Sequence, residues 1–215
     1  MFTKIIIAED HDTNHFGIED ALSTYNPIIE KVKYCDDALL KIRVSADNGH
    51  PYDLLITDLN FEEDHRQRTI VKGEGLILEA RELLPNLKVI VYSVEKRIAR
   101  IQKLYENYHI DAFVEKGRDA SLHIRKAIET IIQGHSYCTP KTSQLLRSTD
   151  EINELEEKDI LLLELLSRGV KQKYIAQQLN CSISSVEKQL NKLKVLFNAS
   201  NPVHLISIAK DWGVI

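Results

Sequence analysis

Short apolar, β-branched runs punctuate the first two-thirds of the chain: IIIA (5–8), VKYC (32–35), LLIT (54–57), KVIVYS (88–93) and AFVEK (112–116). Between them apolar residues recur at helical spacing, as in Phe16, Ile18 and Leu22, or Ile98, Ile101, Leu104 and Tyr105. Strand alternating with helix predicts parallel strands joined by right-handed crossovers. IIIA and LLIT are apolar throughout, as strands covered on both faces are. The pattern then changes. GHSYCTPKTSQLLRSTDEIN carries Gly134, Pro140 and many Ser and Thr, and reads as a linker. From Leu155 onward there is no strand run; four helices are expected at about 156–168, 171–179, 183–197 and 202–212, separated by SRGV, NCS and NASNP. The expected fold is a doubly wound α/β domain with a five-stranded parallel sheet over residues 1–133, a linker over 134–150, and an all-α four-helix domain over 151–215.

The strand ends carry the chemistry. In a doubly wound sheet ligands bind beyond the carboxyl ends of the strands. Those ends hold Glu9 and Asp10 after IIIA, Asp58 after LLIT, Ser93 at the end of KVIVYS and Lys116 at the end of AFVEK. A charge at the end of a buried strand is costly unless something there needs it. Three converging carboxylates repel one another and call for a cation. Oxygen-only ligands suit Mg²⁺, which keeps several waters and takes one or two carboxylates. Ser93 and Lys116 can grip phosphoryl oxygens, Lys as a point charge. Asp58 then reads as a nucleophile that accepts phosphate as an acyl phosphate. Alone, each residue has a plainer reading, a helix cap or a solvated charge; the signal is the set of five, each at the end of its strand.

Composition narrows the classes. The chain has 215 residues, 43% hydrophobic and 28% charged, with formal net charge -4, as in a globular protein of one large or two modest domains. No apolar run is long enough for a membrane helix, and MFTKIIIAED reaches acids too soon for a signal peptide; a cytoplasmic location is expected. Cys35, Cys138 and Cys181 are scattered without metal spacing and read as thiols in a reducing compartment. The negative excess lies in residues 1–150, while residues 151–215 carry equal numbers of acids and bases. Neither part is a basic body that holds nucleic acid by bulk charge.

KQKYIAQQLNCSISSVEKQLNKLKVLF reads as two helices around a tight turn at NCS, with Ile175, Ala176, Leu179, Ile183 and Val186 as an apolar strip and Ser182 as N-cap. This is the helix-turn-helix pattern, whose second helix enters the major groove; a small bundle for protein contacts fits the same residues.

IIIAEDH, LLITDLN, VIVYS and FVEKG resemble the receiver domain of bacterial response regulators over residues 3 to about 131, a flavodoxin-like fold. The C-terminal stretch from ELEEKD to the end resembles the LuxR-type DNA-binding domain, and Gly134, Tyr137 and Pro140 resemble the Gly-x-x-Tyr-x-x-Pro junction of that group. Together they are the NarL/FixJ arrangement. The resemblance implies Asp58 as phosphoacceptor; Glu9, Asp10, Asp58 and the Asn60 backbone carbonyl around Mg²⁺; Ser93 and Lys116 as the phosphate-sensing pair; and Phe113, beside Ser93, as the switch aromatic, for which core packing is the plain alternative. It implies no turnover enzyme beyond self-phosphorylation on aspartate and slow hydrolysis, with a sensor histidine kinase or phosphotransfer protein upstream and a homodimer on double-stranded DNA downstream. Two departures stand out. The Gly-Leu pair that usually follows the acceptor closely arrives only at Gly75–Leu76, after a long loop without proline, read here as mobile surface. The second helix of the motif carries Ser185-Val186-Glu187-Lys188-Gln189 where the family has Thr-Val-Lys-x-His. Candidate DNA contacts are Ser184, Ser185, Glu187, Lys188, Gln189 and Lys192; Lys194 reads equally as a solvated face. The runner-up function is a phosphorylation-regulated module whose helical domain binds protein rather than DNA.

Overall fold

The computed structural model describes residues 2–62, 65–152, 155–197 and 199–215, with residues 147–152 by backbone alone. The chain divides into two compact units, Met1–Glu95 with Lys103–Pro140 and Lys96–Gln102 with Lys141–Ile215.

The first unit is built on β1 (Lys4–Ala8), β2 (Ile28–Val32), β3 (Leu54–Thr57), β4 (Lys88–Ser93), β5 (Ala112–Glu115) and β6 (Tyr137–Cys138) in the order β2-β1-β3-β4-β5-β6, every pairing parallel. The helices are α1 (Asp12–Leu22), α2 (Cys35–Asp47), α3 (Gly73–Leu83), α4 (Ile98–Tyr108, of which the residues from Lys103 on fall in this unit) and α5 (Ala120–Ile132); α1 packs on α5, and α2 on α3. All four residues of β3 are buried, and one face of the sheet forms a core of Ile5, Ile7, Ile56, Ile90 and Val114 against Ile18, Leu22, Ile124 and Ile128. Each such side chain contributes roughly 1.5–3 kcal/mol by leaving water.

Three expectations need correction. The second strand is not VKYC but the preceding Ile28–Val32, and Cys35 opens α2; as an edge strand it carries polar residues that mask its pattern. The sheet has six strands, not five. The sixth arises inside the expected linker, where Tyr137 and Cys138 pair with Ala112 and Phe113, followed by α6 (Pro140–Ile152). Phe16, expected on the apolar stripe of α1, is 73% exposed, whereas Ile18 and Leu22 are buried.

The second unit contains α7 (Glu157–Ser167), α8 (Gln172–Gln178), α9 (Ile183–Leu196) and α10 (Pro202–Asp211), the four helices expected. Local chemistry sets their starts. Glu156 and Asp159 form a capping box on α7, the Ser182 side chain accepts from the Ser185 amide, and Asn201 caps α10 ahead of Pro202. Asn180 turns the chain between α8 and α9 at φ 52, a left-handed position that Asn tolerates. Ile175, Ala176, Val186, Leu190, Leu193, Leu205 and Ala209 are buried, with Phe197 and Trp212 rings 5.2 Å apart. Ile183, expected on the apolar strip, is 46% exposed.

Candidate functional site

The strand ends meet as the topology requires. Glu9 follows β1, Asp58 follows β3, Ser93 ends β4 and Lys116 follows β5. Glu9, Asp58 and Ser93 are buried at 1%, 5% and 0% exposure. The Lys116 ammonium donates to Asp58 Oδ2 at 2.6 Å and pairs with Glu9 Oε2 at 2.6 Å, bridging two of the three acids. Its amide donates to the Ser93 carbonyl at 2.9 Å, which joins the β4 and β5 ends, and its Nζ lies 5.2 Å from the Tyr92 ring centroid. Burial disfavours the charged lysine, yet the hydrogen bonds and charges of Asp58 and Glu9 outweigh it and raise its pKa.

Asp58 Oδ1 accepts from the Leu59 amide at 2.6 Å, so its carboxylate is aimed from both sides. Asp10 is held by groups the sequence did not single out. Its Oδ2 accepts from the Glu62 amide at 2.6 Å, and its Oδ1 pairs with His11 Nδ1 at 2.7 Å. Burial pushes the Asp10 carboxyl up, but the Glu62 amide and the His11 ring together bring it below its ordinary value. The hydrogen bond to Asp10, with its charge, raises the His11 imidazole. Glu9 Oε1 accepts from Asn14 Nδ2 at 2.9 Å and the His11 amide at 3.2 Å. Ligand atoms of Glu9, Asp10 and His11 lie within 4.8 Å of one another. The Ser93 hydroxyl is fully buried and has no hydrogen-bond partner among the described residues. A buried hydroxyl left unpaired is unusual and calls for an explanation.

A cleft of about 510 Å³ opens over this rim, lined by Asp10, His11, Asp58, Asn60, Glu62 and Lys116. A larger one, about 980 Å³, runs along the β2 edge between Phe16 and Leu40; it holds neither Asp58 nor Lys116, and of its four lysines Lys31, Lys33 and Lys41 are paired with Glu19, Asp12 and Glu30 while Lys4 donates to the His50 carbonyl. The chemistry belongs to the smaller cleft. Asn60 is exposed and bridges to Lys72 across the loop that follows Asp58. Phe113 is fully buried on β5.

That loop is fastened rather than loose among its described residues; Glu63 and Asp64 lie outside them. It returns to Gly73, whose amide donates to the Leu59 carbonyl at 3.1 Å. A Cβ at Gly73 would stand 2.0 Å from the Asp58 carbonyl oxygen. Glycine is therefore required where α3 crosses the Asp58 backbone, a constraint that no local sequence signal announces.

In the second unit, α8 and α9 pack as a helix-turn-helix pair. Ser184, Ser185, Glu187, Lys188 and Lys192 are exposed on α9, and Lys194 is half-buried. Gln189 does not stand free: its side-chain amide donates to Asp159, a carboxylate 1% exposed that also caps α7. The Ser184 and Ser185 hydroxyls each lie 2.8 Å from Ser182 Oγ, within the cap.

No protein-family model matches the chain. Among curated proteins it is similar to the glycerol metabolism activator of Pseudomonas putida, 26% identical over 97% of this chain and 95% of that protein. It is also similar to the oxygen regulatory protein NreC of Staphylococcus epidermidis, 24% identical over 96% of each. Among solved structures, RcsB of Salmonella typhimurium, described as a response regulator, is 25% identical with a TM-score of 0.58, covering 97% of this chain and 98% of that one. A structure of two RcsB dimers bound to two parallel DNAs matches at 23% identity with a TM-score of 0.62 over the same shares.

Proposed function

We propose that this chain, a response regulator of the NarL/FixJ type by its likeness in sequence and fold, accepts a phosphoryl group on Asp58 and thereby controls DNA binding and transcription. The observation that carries the reading is the buried Asp58–Lys116–Glu9 triad beside a Ser93 hydroxyl without a partner among the described residues. An Asp58 carboxylate oxygen attacks the phosphorus of an acyl phosphate or a phosphohistidine. The bond from phosphorus to the donor breaks with its electron pair, and a mixed anhydride forms on Asp58. Lys116 is placed to move its ammonium onto the transferred group, and the Ser93 hydroxyl to donate to one of its oxygens.

The donor set fits a hard divalent cation: Glu9, Asp10 and Asp58 offer carboxylate oxygens at the rim, where Lys116 pairs with Glu9 and Asp58 and His11 with Asp10. Glu9, Asp10, Asp58 and the Asn60 carbonyl would hold Mg²⁺, which supplies charge neutralisation of the phosphoryl oxygens when bound. Beyond self-phosphorylation and slow hydrolysis we assign no catalytic activity. The receiver is read over residues 1–133, its sheet completed by β6 from the connecting segment 134–150, and the DNA-binding domain over 151–215. A sensor histidine kinase or phosphotransfer protein acts upstream. Among the described residues no helix is long and apolar enough to cross a membrane, and we place the protein in the cytoplasm.

Phosphorylation favours a homodimer that presents two α9 helices to two half-sites, with Ser184, Ser185, Glu187, Lys188 and Lys192 towards DNA. The Gln189–Asp159 bond argues for an internal role for Gln189. The exposed Glu187 and the balanced charge of residues 151–215 favour, as a second reading, a helical domain that binds protein. Asp58→Asn with a small acyl-phosphate donor tests the first step: loss of phosphorylation is expected, and undiminished label on the variant would sink it. Salt-dependent retardation of genomic DNA fragments by the phosphorylated chain tests the second step, because phosphate contacts impose a steep salt slope. Absence of any such slope points to the protein-binding reading.

A further inference from the structure

The segment between Asp58 and α3 is long and polar, and its composition reads as mobile surface. Its described residues are instead tied to two places. At one end the Glu62 amide donates to Asp10 Oδ2 at 2.6 Å, and its carboxylate lies 3.3 Å from His11 Nε2. At the other end Arg66 makes a two-pronged pair with Asp37, Nη1 to Oδ2 at 2.9 Å and Nη2 to Oδ1 at 2.5 Å, with its guanidinium 4.3 Å from the Tyr34 ring centroid. The Thr69 and Ile70 amides donate to Asp36 Oδ2 and Oδ1 at 3.0 and 3.1 Å. Between the two ends, Arg68 Nη1 reaches back to the Glu62 carbonyl at 2.8 Å. A continuous path thus runs from the acidic first turn of α2, through residues 66–70, to Glu62, whose carbonyl Arg68 binds and whose amide holds Asp10.

We propose that Arg66 and Arg68 are positioning residues for the metal-binding carboxylate Asp10, acting through the main chain of Glu62. This rests on the reading of Asp10 as a Mg²⁺ ligand. Groups that hydrogen-bond a metal-ligating carboxylate fix its orientation, and their loss typically weakens metal affinity 10- to 100-fold. Arg66 is suited to the task because its planar fork matches the Asp37 carboxylate and stacks on Tyr34, which a lysine cannot reproduce. The pair is solvent-exposed, so its contribution is to place the loop rather than to stabilise the fold.

The sign of the effect separates positioning from plain electrostatics. Removing a cation near an acidic rim tightens Mg²⁺ by Coulomb's law, whereas losing the clamp weakens it. In the full chain, Mg²⁺ is titrated against the amide resonances of Asp10 and Asn60, and hydrogen exchange at the Glu62 amide is measured without metal. Arg66→Ala and Arg68→Ala are each expected to raise the Mg²⁺ dissociation constant about 10-fold and to speed Glu62 exchange. Arg66→Lys, which keeps the charge, is expected to behave as Arg66→Ala does. Tighter or unchanged Mg²⁺ binding in the alanine variants, or weaker binding with Glu62 exchange unaltered, would overturn the proposal. If the wild-type chain fails to bind Mg²⁺ at millimolar concentration, the metal reading itself falls, and the proposal with it.

Discussion

Replacing Gly73 by alanine tests whether the approach of α3 to Asp58 sets the reactivity proposed for that carboxylate. The added Cβ would lie 2.0 Å from the Asp58 carbonyl oxygen and 3.0 Å from both Asp58 C and Leu59 Cα. Carbon and oxygen need well over 3 Å, so one partner must move by about 1 Å. All three atoms are backbone, and they are tied down. The Asp58 amide donates to the Ala8 carbonyl at 3.1 Å, and the Gly73 amide binds the Leu59 carbonyl at 3.1 Å. The displacement therefore falls on the peptide that aims the Asp58 carboxylate. Overpacking of this kind costs roughly 1–3 kcal/mol of stability, and a 1 Å misplacement of a reacting group costs on the order of 100-fold in rate. Gly75 supplies the control. Its Cβ would meet only Ile70 Cγ2, at 3.1 Å, a side-chain methyl that can yield, and alanine gains up to about 1 kcal/mol of helix propensity. With a small acyl-phosphate donor, Gly73→Ala should phosphorylate about 100-fold more slowly than wild type, and Gly75→Ala within a few-fold of it. A Gly73→Ala variant that reacts at the wild-type rate would refute the reasoning.

Glu187→Lys, on the exposed face of α9, should either change preference at one base pair, worth roughly 1–3 kcal/mol, or tighten binding to all sequences and steepen the salt slope by about one unit; no change in affinity, preference or slope removes α9 from the DNA interface. Gln189→Ala leaves a buried Asp159 oxygen without its donor and should destabilise the helical unit by about 1–3 kcal/mol in denaturant titration; a loss of DNA preference at full stability would restore Gln189 as a base reader. Burial pushes the Cys35 thiol up to about 12 and Cys138 up to about 11, whereas Cys181 is exposed. Since only the thiolate reacts, and each falls as pH drops below its pKa, Cys35 presents about one thiolate in 10⁴ at pH 8. Alkylation of the native chain should therefore label Cys181 first, and early label on Cys35 would contradict the burial.

The sequence located what strands place by themselves. Glu9, Asp58, Ser93 and Lys116 were legible because a parallel sheet delivers its strand ends to one rim, and the four C-terminal helices because caps and apolar spacing coincide. Features set by tertiary approach stayed hidden. Nothing in VKGEGL distinguishes Gly73, which meets the Asp58 carbonyl, from Gly75, which does not. The second strand was misplaced because Ile28–Val32 is an edge, half-exposed and carrying Glu30 and Lys31, so its alternation is weak. The bond from Gln189 to Asp159 has no local signal because the two lie thirty positions apart. The loop looked mobile because its anchors, Asp36 and Asp37, lie on another helix.

The sixth strand decides where this protein can be cut. The Thr139 amide donates to the Phe113 carbonyl at 3.2 Å, and the Glu115 amide to Thr139 Oγ1 at 3.0 Å, so the segment past α5 closes the open side of β5. A truncation after residue 133, where the strand–helix alternation ends, would bare that side and offer its amides and carbonyls to any neighbouring chain. A truncation after Pro140 would keep it closed. The opposite side of the sheet, β2, stays open but carries Glu30 and Lys31, the charged edge that discourages stacking of one molecule on the next. Sample solubility therefore turns on seven residues that the strand–helix pattern assigns to no domain.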